Sequence, residues 1–173
     1  MKTVSVKFQL CIAIVAALLL LSGCGTVTVQ ARGVSPLNLN EHGESTPVDV
    51  RFYQLRSDQR FRTASFDQLW MSETDALGPD KLGDRVVATI FPGTPADRPA
   101  EVRLGKRQSG TAFIGVLALY RRSETKDART VVIPIDQAST RVLQFTGYSV
   151  AITEDGRSTE STDTEQPQPR NQR

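Results

Sequence analysis

Three patterns of apolar residues divide the chain. Residues 10–21 form an unbroken apolar run behind a start, residues 1–9, that carries Lys2 and Lys7 and no acid. Roughly 7–15 apolar residues after a basic start make the core of an export signal, whereas a membrane-spanning helix wants about 20. From residue 26 onward the apolar positions come in short stretches separated by Gly, Pro, Asn and Asp, which predicts an all-β sandwich or barrel. Residues 154–173 contain none of Ala, Val, Ile, Leu, Met, Phe, Trp, Tyr or Cys and are rich in Glu, Asp, Ser, Thr, Gln and Pro. Such a segment cannot bury enough surface to order itself, so it reads as a disordered polar tail, with partner binding as the alternative.

Within the β region, residues 26–30 alternate, with Val27 and Val29 on one face. Residues 47–55, Pro-Val-Asp-Val-Arg-Phe-Tyr-Gln-Leu, place Val48, Val50 and Phe52 opposite Asp49 and Arg51. The parity then slips to Tyr53 and Leu55, which implies a bulge or cover on the second face. Further strands are expected at residues 85–91, 99–104, 111–120, 129–135, 142–145 and 148–153, about eight in all. Residues 111–120 are apolar on both parities and predict a central strand covered on both sides. Gly115 within it marks a close backbone approach or a bulge.

Residues 61–82 change period. Ser65 and Gln68 have the spacing of a capping box, and Phe66, Leu69 and Trp70 recur at helical intervals. A second helical turn stops at Leu77-Gly78-Pro79. This predicts a small helical pair inserted between strands. Its aromatic cluster is expected in the core, a ligand platform being the alternative.

The signal core runs into Leu21-Ser22-Gly23-Cys24, which resembles the bacterial lipobox. It predicts removal of residues 1–23 and acylation of Cys24, against the alternative of a retained signal anchor. Gly25 follows where an aspartate is associated with inner-membrane retention, so the expected address is the outer membrane. The chain thus divides into a signal (1–23), a lipid-anchored β domain (24–153) and a tail (154–173).

That cleavage changes the composition that matters. Without Lys2 and Lys7, 19 basic residues face 19 acidic ones, and no basic excess remains to argue for nucleic-acid binding. Cys11 leaves with the signal and Cys24 is consumed by lipid, so no disulfide is expected. His42 is the single histidine. A zinc site needs three or four ligands, and no His and Cys set remains to build one. No Gly-x-Ser-x-Gly elbow or Gly-rich phosphate loop occurs either. The chain is expected to bind or scaffold rather than catalyse, with no cofactor beyond the lipid on Cys24.

The ordered set Asn40, Gly43 and Pro47–Leu55, then Phe61, Ala64–Leu69, Leu77-Gly78 and Leu82, resembles the opening of the type VI secretion outer-membrane lipoprotein family (TssJ, also called SciN or VasD). Pro92-Gly93, Gly115 before Ala118-Leu119-Tyr120-Arg121, and Arg129 ahead of Val131-Val132-Ile133-Pro134 continue it. One departure is Ala128-Arg129, where members often carry Trp-Arg. The resemblance implies a transthyretin-like two-sheet sandwich. It also implies a role: tethering a trans-envelope complex to the outer membrane by binding the periplasmic C-terminal domain of the large inner-membrane subunit, TssM. A periplasmic glycan- or ligand-binding lipoprotein and a pilotin-like chaperone are the alternatives.

Residues 38–46, Asn-Leu-Asn-Glu-His-Gly-Glu-Ser-Thr, connect the first two predicted strands and have the composition of an exposed loop. The resemblance implies that this loop meets the large subunit. Glu41, His42, Gly43, Glu44 and Ser45 are therefore the expected contact residues, with His42 making binding mildly pH-sensitive near neutrality.

Overall fold

The structure is a computed structural model that describes residues 25–122 and 125–153. The expected signal segment, Cys24 and the tail lie outside the described residues. Eight strands form two four-stranded sheets: β1 (Thr26–Leu37), β2 (Val48–Leu55), β3 (Lys81–Ile90), β4 (Ala100–Lys106), β5 (Phe113–Leu119), β6 (Thr130–Pro134), β7 (Val142–Gly147) and β8 (Ser149–Thr153). One sheet has the order β4-β1-β7-β8 and the other β3-β2-β5-β6. Among the described strands β1 and β7 pair in parallel and the other pairs are antiparallel. The transthyretin-like two-sheet sandwich is the observed fold.

Alternation explains the core. Val48, Val50 and Phe52 of β2 face inward with Ile114, Val116 and Ala118 of β5, and meet Val29, Ala31, Leu143 and Phe145 of the opposite sheet. The parity slip in β2 has two causes. Pairing with β5 is continuous from Asp49 to Leu55, but pairing with β3 shifts between Phe52 and Gln54, where β3 contains Gly83 at φ +69°. Tyr53 and Leu55, on the outer face, are also covered by helices and form a second core with Phe61, Leu69, Leu77 and Leu117.

Strand β5 is the central strand that its two apolar parities predict. A Cβ on Gly115 would stand 2.8 Å from Leu55 Cδ1 and 3.0 Å from Phe61, so glycine is what lets the helical layer close on the sheet. Leu117, on the same face, is fully buried. Leu117→Ala should cost about 2–5 kcal/mol, read as a lower denaturant midpoint with an unchanged m-value. Leu119 is only half-buried, so its truncation should cost less.

The helical insert is larger than a pair. It comprises α1 (Gln59–Thr63), α2 (Phe66–Met71), α3 (Glu73–Leu77) and a 3₁₀ turn, Gly78–Asp80. The capping box is present: the Gln68 amide donates to Ser65 Oγ at 3.1 Å, and the Ser65 amide donates to Gln68 Oε1 at 2.8 Å. A one-turn helix, α4 (Lys126–Arg129), precedes β6. Strand β1 continues to Leu37, well past residue 30. Its second half does not alternate because Ala31, Arg32 and Gly33 are all buried, Arg32 through a bond from Nε to Gln144 Oε1 at 3.0 Å.

Strand directions sort the loops into two ends. Gly25 and the β2–α1, β4–β5 and β6–β7 connections lie at one end; Arg107 N–H donates to Gly25 O and Ile135 N–H to Ala112 O. The β1–β2, β3–β4, β5–α4 and β7–β8 connections lie at the other, where Asn38 N–H donates to Gly147 O at 2.7 Å. Twelve residues of β1 separate the two ends, roughly 35 Å at about 3.3 Å per residue.

Candidate functional site

The connection from β1 to β2 is a built loop. Asn38 is buried at its base with φ +45°, a conformation that asparagine tolerates better than most side chains. Its Nδ2 donates to Thr46 Oγ1 at 3.0 Å and to Pro47 O at 2.7 Å, while its Oδ1 accepts from the Arg121 amide at 2.8 Å. One side chain therefore ties together both stems of the loop and the end of β5.

Asn40 organises the tip. Its Oδ1 accepts from the amides of His42 and Glu44, each at 2.9 Å, and its Nδ2 donates to Glu44 Oε2 at 2.9 Å. Gly43, at φ +77°, completes the turn. Glu41 and His42 project into solvent, with side chains 82% and 74% exposed and His42 Nε2 3.6 Å from Glu41 Oε1. Of the five expected contact residues, Glu41, His42 and Gly43 therefore crown the loop. Glu44 shares its carboxylate with Asn40. Ser45 is half-buried and accepts from the Leu37 amide at 3.1 Å, which gives it a part in shaping the loop.

Three connections join this end from elsewhere in the chain. Arg122 lies 5.8 Å from the ring of Tyr148, which meets Tyr120 edge-on at 6.3 Å. The hydroxyl of Tyr148 donates to Leu39 O at 3.3 Å, bracing the loop from β7–β8. Phe91, 63% exposed, stands at the end of β3 just before the Pro92-Gly93 turn. Sequence reasoning ended a strand on Phe91 but had no local signal to set it, Arg122 and Tyr148 at one end with residues 41–44.

A second polar cluster lies under the helical insert. The Glu73 carboxylate, 10% exposed, is 3.0 Å from Arg85 Nη1, 3.3 Å from Lys81 Nζ and 3.6 Å from Arg51 Nη1. Tyr53 Oη donates to it at 3.0 Å. Burial alone would raise the carboxyl pKa, but the bonds from Arg85, Tyr53 and Lys81 outweigh it and hold Glu73 below the usual range. Burial is also the main reason that Tyr53 is held well above the ordinary phenol range. Arg51 continues outward, its guanidinium 3.6 Å from the centre of the Trp70 ring and donating to Trp70 O at 3.0 Å.

Here the expected apolar cluster needs correction. Leu69 is buried and Phe66 half-buried, but Trp70 is 38% exposed and Met71 76%. A six-residue helix can turn only a narrow face inward. Leu69 takes that face, and Trp70 packs instead on Arg51. Phe66 is capped by the Arg129 guanidinium at 4.3 Å. Arg129 is buried and donates to Arg122 O at 2.8 Å.

Among the described residues, no three His, Cys, Asp or Glu side chains are grouped to hold a metal ion. No curated relative matches the sequence. The fold is similar to that of the type VI lipoprotein TssJ1 from Pseudomonas aeruginosa, with 21% identity, TM-score 0.60, and coverage of 76% of this chain and 96% of that one. Lip from Serratia marcescens, a membrane-bound component of the type VI secretion system, is 18% identical with TM-score 0.63, covering 75% and 97%. A chain in a structure described as the TssM C-terminal domain from EAEC is 20% identical with TM-score 0.59, covering 74% and 97%. The sequence profile of the type VI secretion lipoproteins (VasD, EvfM, TssJ) matches residues 25–153, the whole of the β sandwich. The chain belongs to the type VI secretion lipoprotein family.

Proposed function

We propose that this protein anchors a type VI trans-envelope complex to the outer membrane. In this reading Cys24 carries the acyl chains, the domain faces the periplasm, and it binds the periplasmic C-terminal domain of the large inner-membrane subunit, TssM. The observation that carries it is the family match across residues 25–153. The architecture supports it: Gly25, next to the acylated residue, and the rigid 38–46 loop lie at opposite ends of β1, so the loop reaches away from the bilayer. Loops fixed on a rigid sandwich are suited to recognition because little ordering entropy is lost on binding.

The contact we assign is the tip, Glu41 and His42, with Gly43, Glu44 and Ser45 holding its shape. Neither the Glu41 nor the His42 side chain holds the loop to the sandwich, so Glu41→Ala with His42→Ala leaves the frame standing. Calorimetry with the partner's periplasmic domain should show binding weakened at least tenfold, or about 1.4 kcal/mol. Replacing residues 41–45 by a Gly-Ser linker should weaken it at least as much, with the melting temperature barely changed. Unaltered affinity in both variants would remove this loop from the interface.

A further inference from the structure

The tip of the 38–46 loop is too small to hold a partner alone. A stable interface takes about 800 Å² and about 20–30 residues from each side, whereas the crown of this loop is Glu41, His42 and Gly43. A partner that grips the tip therefore also lies against the connections around it, β3–β4, β5–α4 and β7–β8. Tight interfaces draw most of their affinity from a few well-packed aromatic or arginine side chains inside a polar rim. The Glu41 and His42 side chains are polar and solvated, which suits them to the rim. An apolar anchor has to come from a neighbouring connection.

Phe91 is placed to be that anchor. Among the large exposed apolar side chains, Trp70 packs on Arg51 and Met71 follows it in α2. Val87 pairs with Arg51 in the middle of β3, and Ile152 pairs with Leu143 near the opposite end of the sandwich. Phe91 stands at the loop end, 63% exposed, and joins neither core cluster. Register brings it to the loop. Val48 pairs with Ile90, so Phe91 is one residue past the last β2–β3 pair, as Pro47 is on the side of β2. Pro47 is itself exposed, and its carbonyl accepts from Asn38 at the base of the loop.

The backbone that carries Phe91 is fixed to the same strand that leads into the loop. Thr94 N–H donates to Gly33 O at 3.0 Å, and Gly33 N–H donates to Thr94 Oγ1 at 3.3 Å. That hydroxyl donates to Phe91 O at 3.2 Å. Glycine at position 33 is what admits the turn, because a Cβ there would stand 2.3 Å from Phe91 O. A phenyl ring held in water on a rigid turn gains by burial and loses little ordering entropy when a partner covers it.

We propose that Phe91 is the apolar anchor of the partner contact. It fills an apolar pocket on the partner, with Glu41 and His42 of the loop tip and the exposed Asp97 and Arg98 of the β3–β4 connection in its polar rim. The proposal rests on the partner-binding reading and adds to it the residue that supplies affinity and the kind of surface the partner presents.

The test titrates the full lipidated chain, in detergent micelles, with the partner's periplasmic domain in a calorimeter. Phe91→Ala should weaken binding about thirtyfold, or about 2 kcal/mol. The melting temperature should not fall, because the ring joins neither core. The loss should persist at about 0.5 M salt, since an apolar contact is not screened. Val87→Ala removes a comparably exposed apolar side chain from the same strand and should bind as the wild type does. A loss smaller than tenfold in Phe91→Ala, or an equal loss in Val87→Ala, overturns the anchor and leaves the partner reading standing. A Phe91→Ala variant that keeps its affinity but loses self-association assigns the ring to a second copy of the chain and also overturns the anchor. A wild-type chain that does not bind the partner's domain overturns the partner reading and this proposal with it.

Discussion

Glu73→Ala should remove about 3–5 kcal/mol of folding stability, the cost of stranding buried charges by deleting their partner. Among the described residues the carboxylate is the one acid paired with Arg51 and Lys81, whose side chains are 11% and 15% exposed. Arg85 is 42% exposed and loses less, since water already screens it. The damage should spread along a definite route. Arg51, released from Glu73, also stacks on Trp70 and donates to its carbonyl, so α2 and α3 lose their polar tie to β2. The chain contains one tryptophan, and its fluorescence should report that loosening at denaturant concentrations below the global transition.

Acid supplies an independent check. Glu73 is held below its ordinary pKa in the folded state, so the stabilisation it confers is present above the unfolded-state value and is lost as pH falls through the folded-state value. Glu73→Gln keeps an acceptor for Tyr53 but carries no charge. Between about pH 7 and pH 3 the wild-type midpoint should fall further than that of Glu73→Gln, and the two should converge at the acid end. Parallel pH profiles would show that the ionised carboxylate contributes nothing to the fold.

The sandwich was legible because its signals are local. Strict alternation identified β2, two apolar parities identified β5 as central, and Ser65 with Gln68 identified the start of α2. The features that escaped depend on contacts between distant segments. Arg32 and Gly33 disguise the second half of β1, since a buried arginine shows itself only when Gln144 arrives from β7. Glu73 lies on a short polar helix and reads as a solvated charge until β2 and β3 bring three cations to it. Trp70 has the spacing of a core residue, yet Leu69 takes the inward position and Arg51 supplies the alternative support. The partner loop divides in the same way. Its Gly, Asn and Ser content announced an exposed connection, but nothing local revealed that Asn38 and Asn40 brace it from within, or that Tyr148 and Arg122 stand beside it.

Cys24→Ser should abolish secretion while leaving the domain folded. Cys24 lies outside the described residues, and Gly25 beside it is exposed; a Cβ placed there would meet nothing within 4 Å. Among the described residues the core begins at Val27, so the melting temperature of the isolated domain should not move. Attachment is a different matter. Each buried methylene contributes about 0.8 kcal/mol and a single acyl chain holds only marginally, whereas two or more make release negligible. The variant should be recovered uncleaved or in the soluble periplasmic fraction, absent from the outer membrane, with its affinity for the partner's periplasmic domain unchanged. Binding would then persist while the complex loses its hold on the membrane, which separates anchoring from recognition in a single protein. A variant that still fractionates with the outer membrane and supports normal secretion would show that attachment does not depend on Cys24.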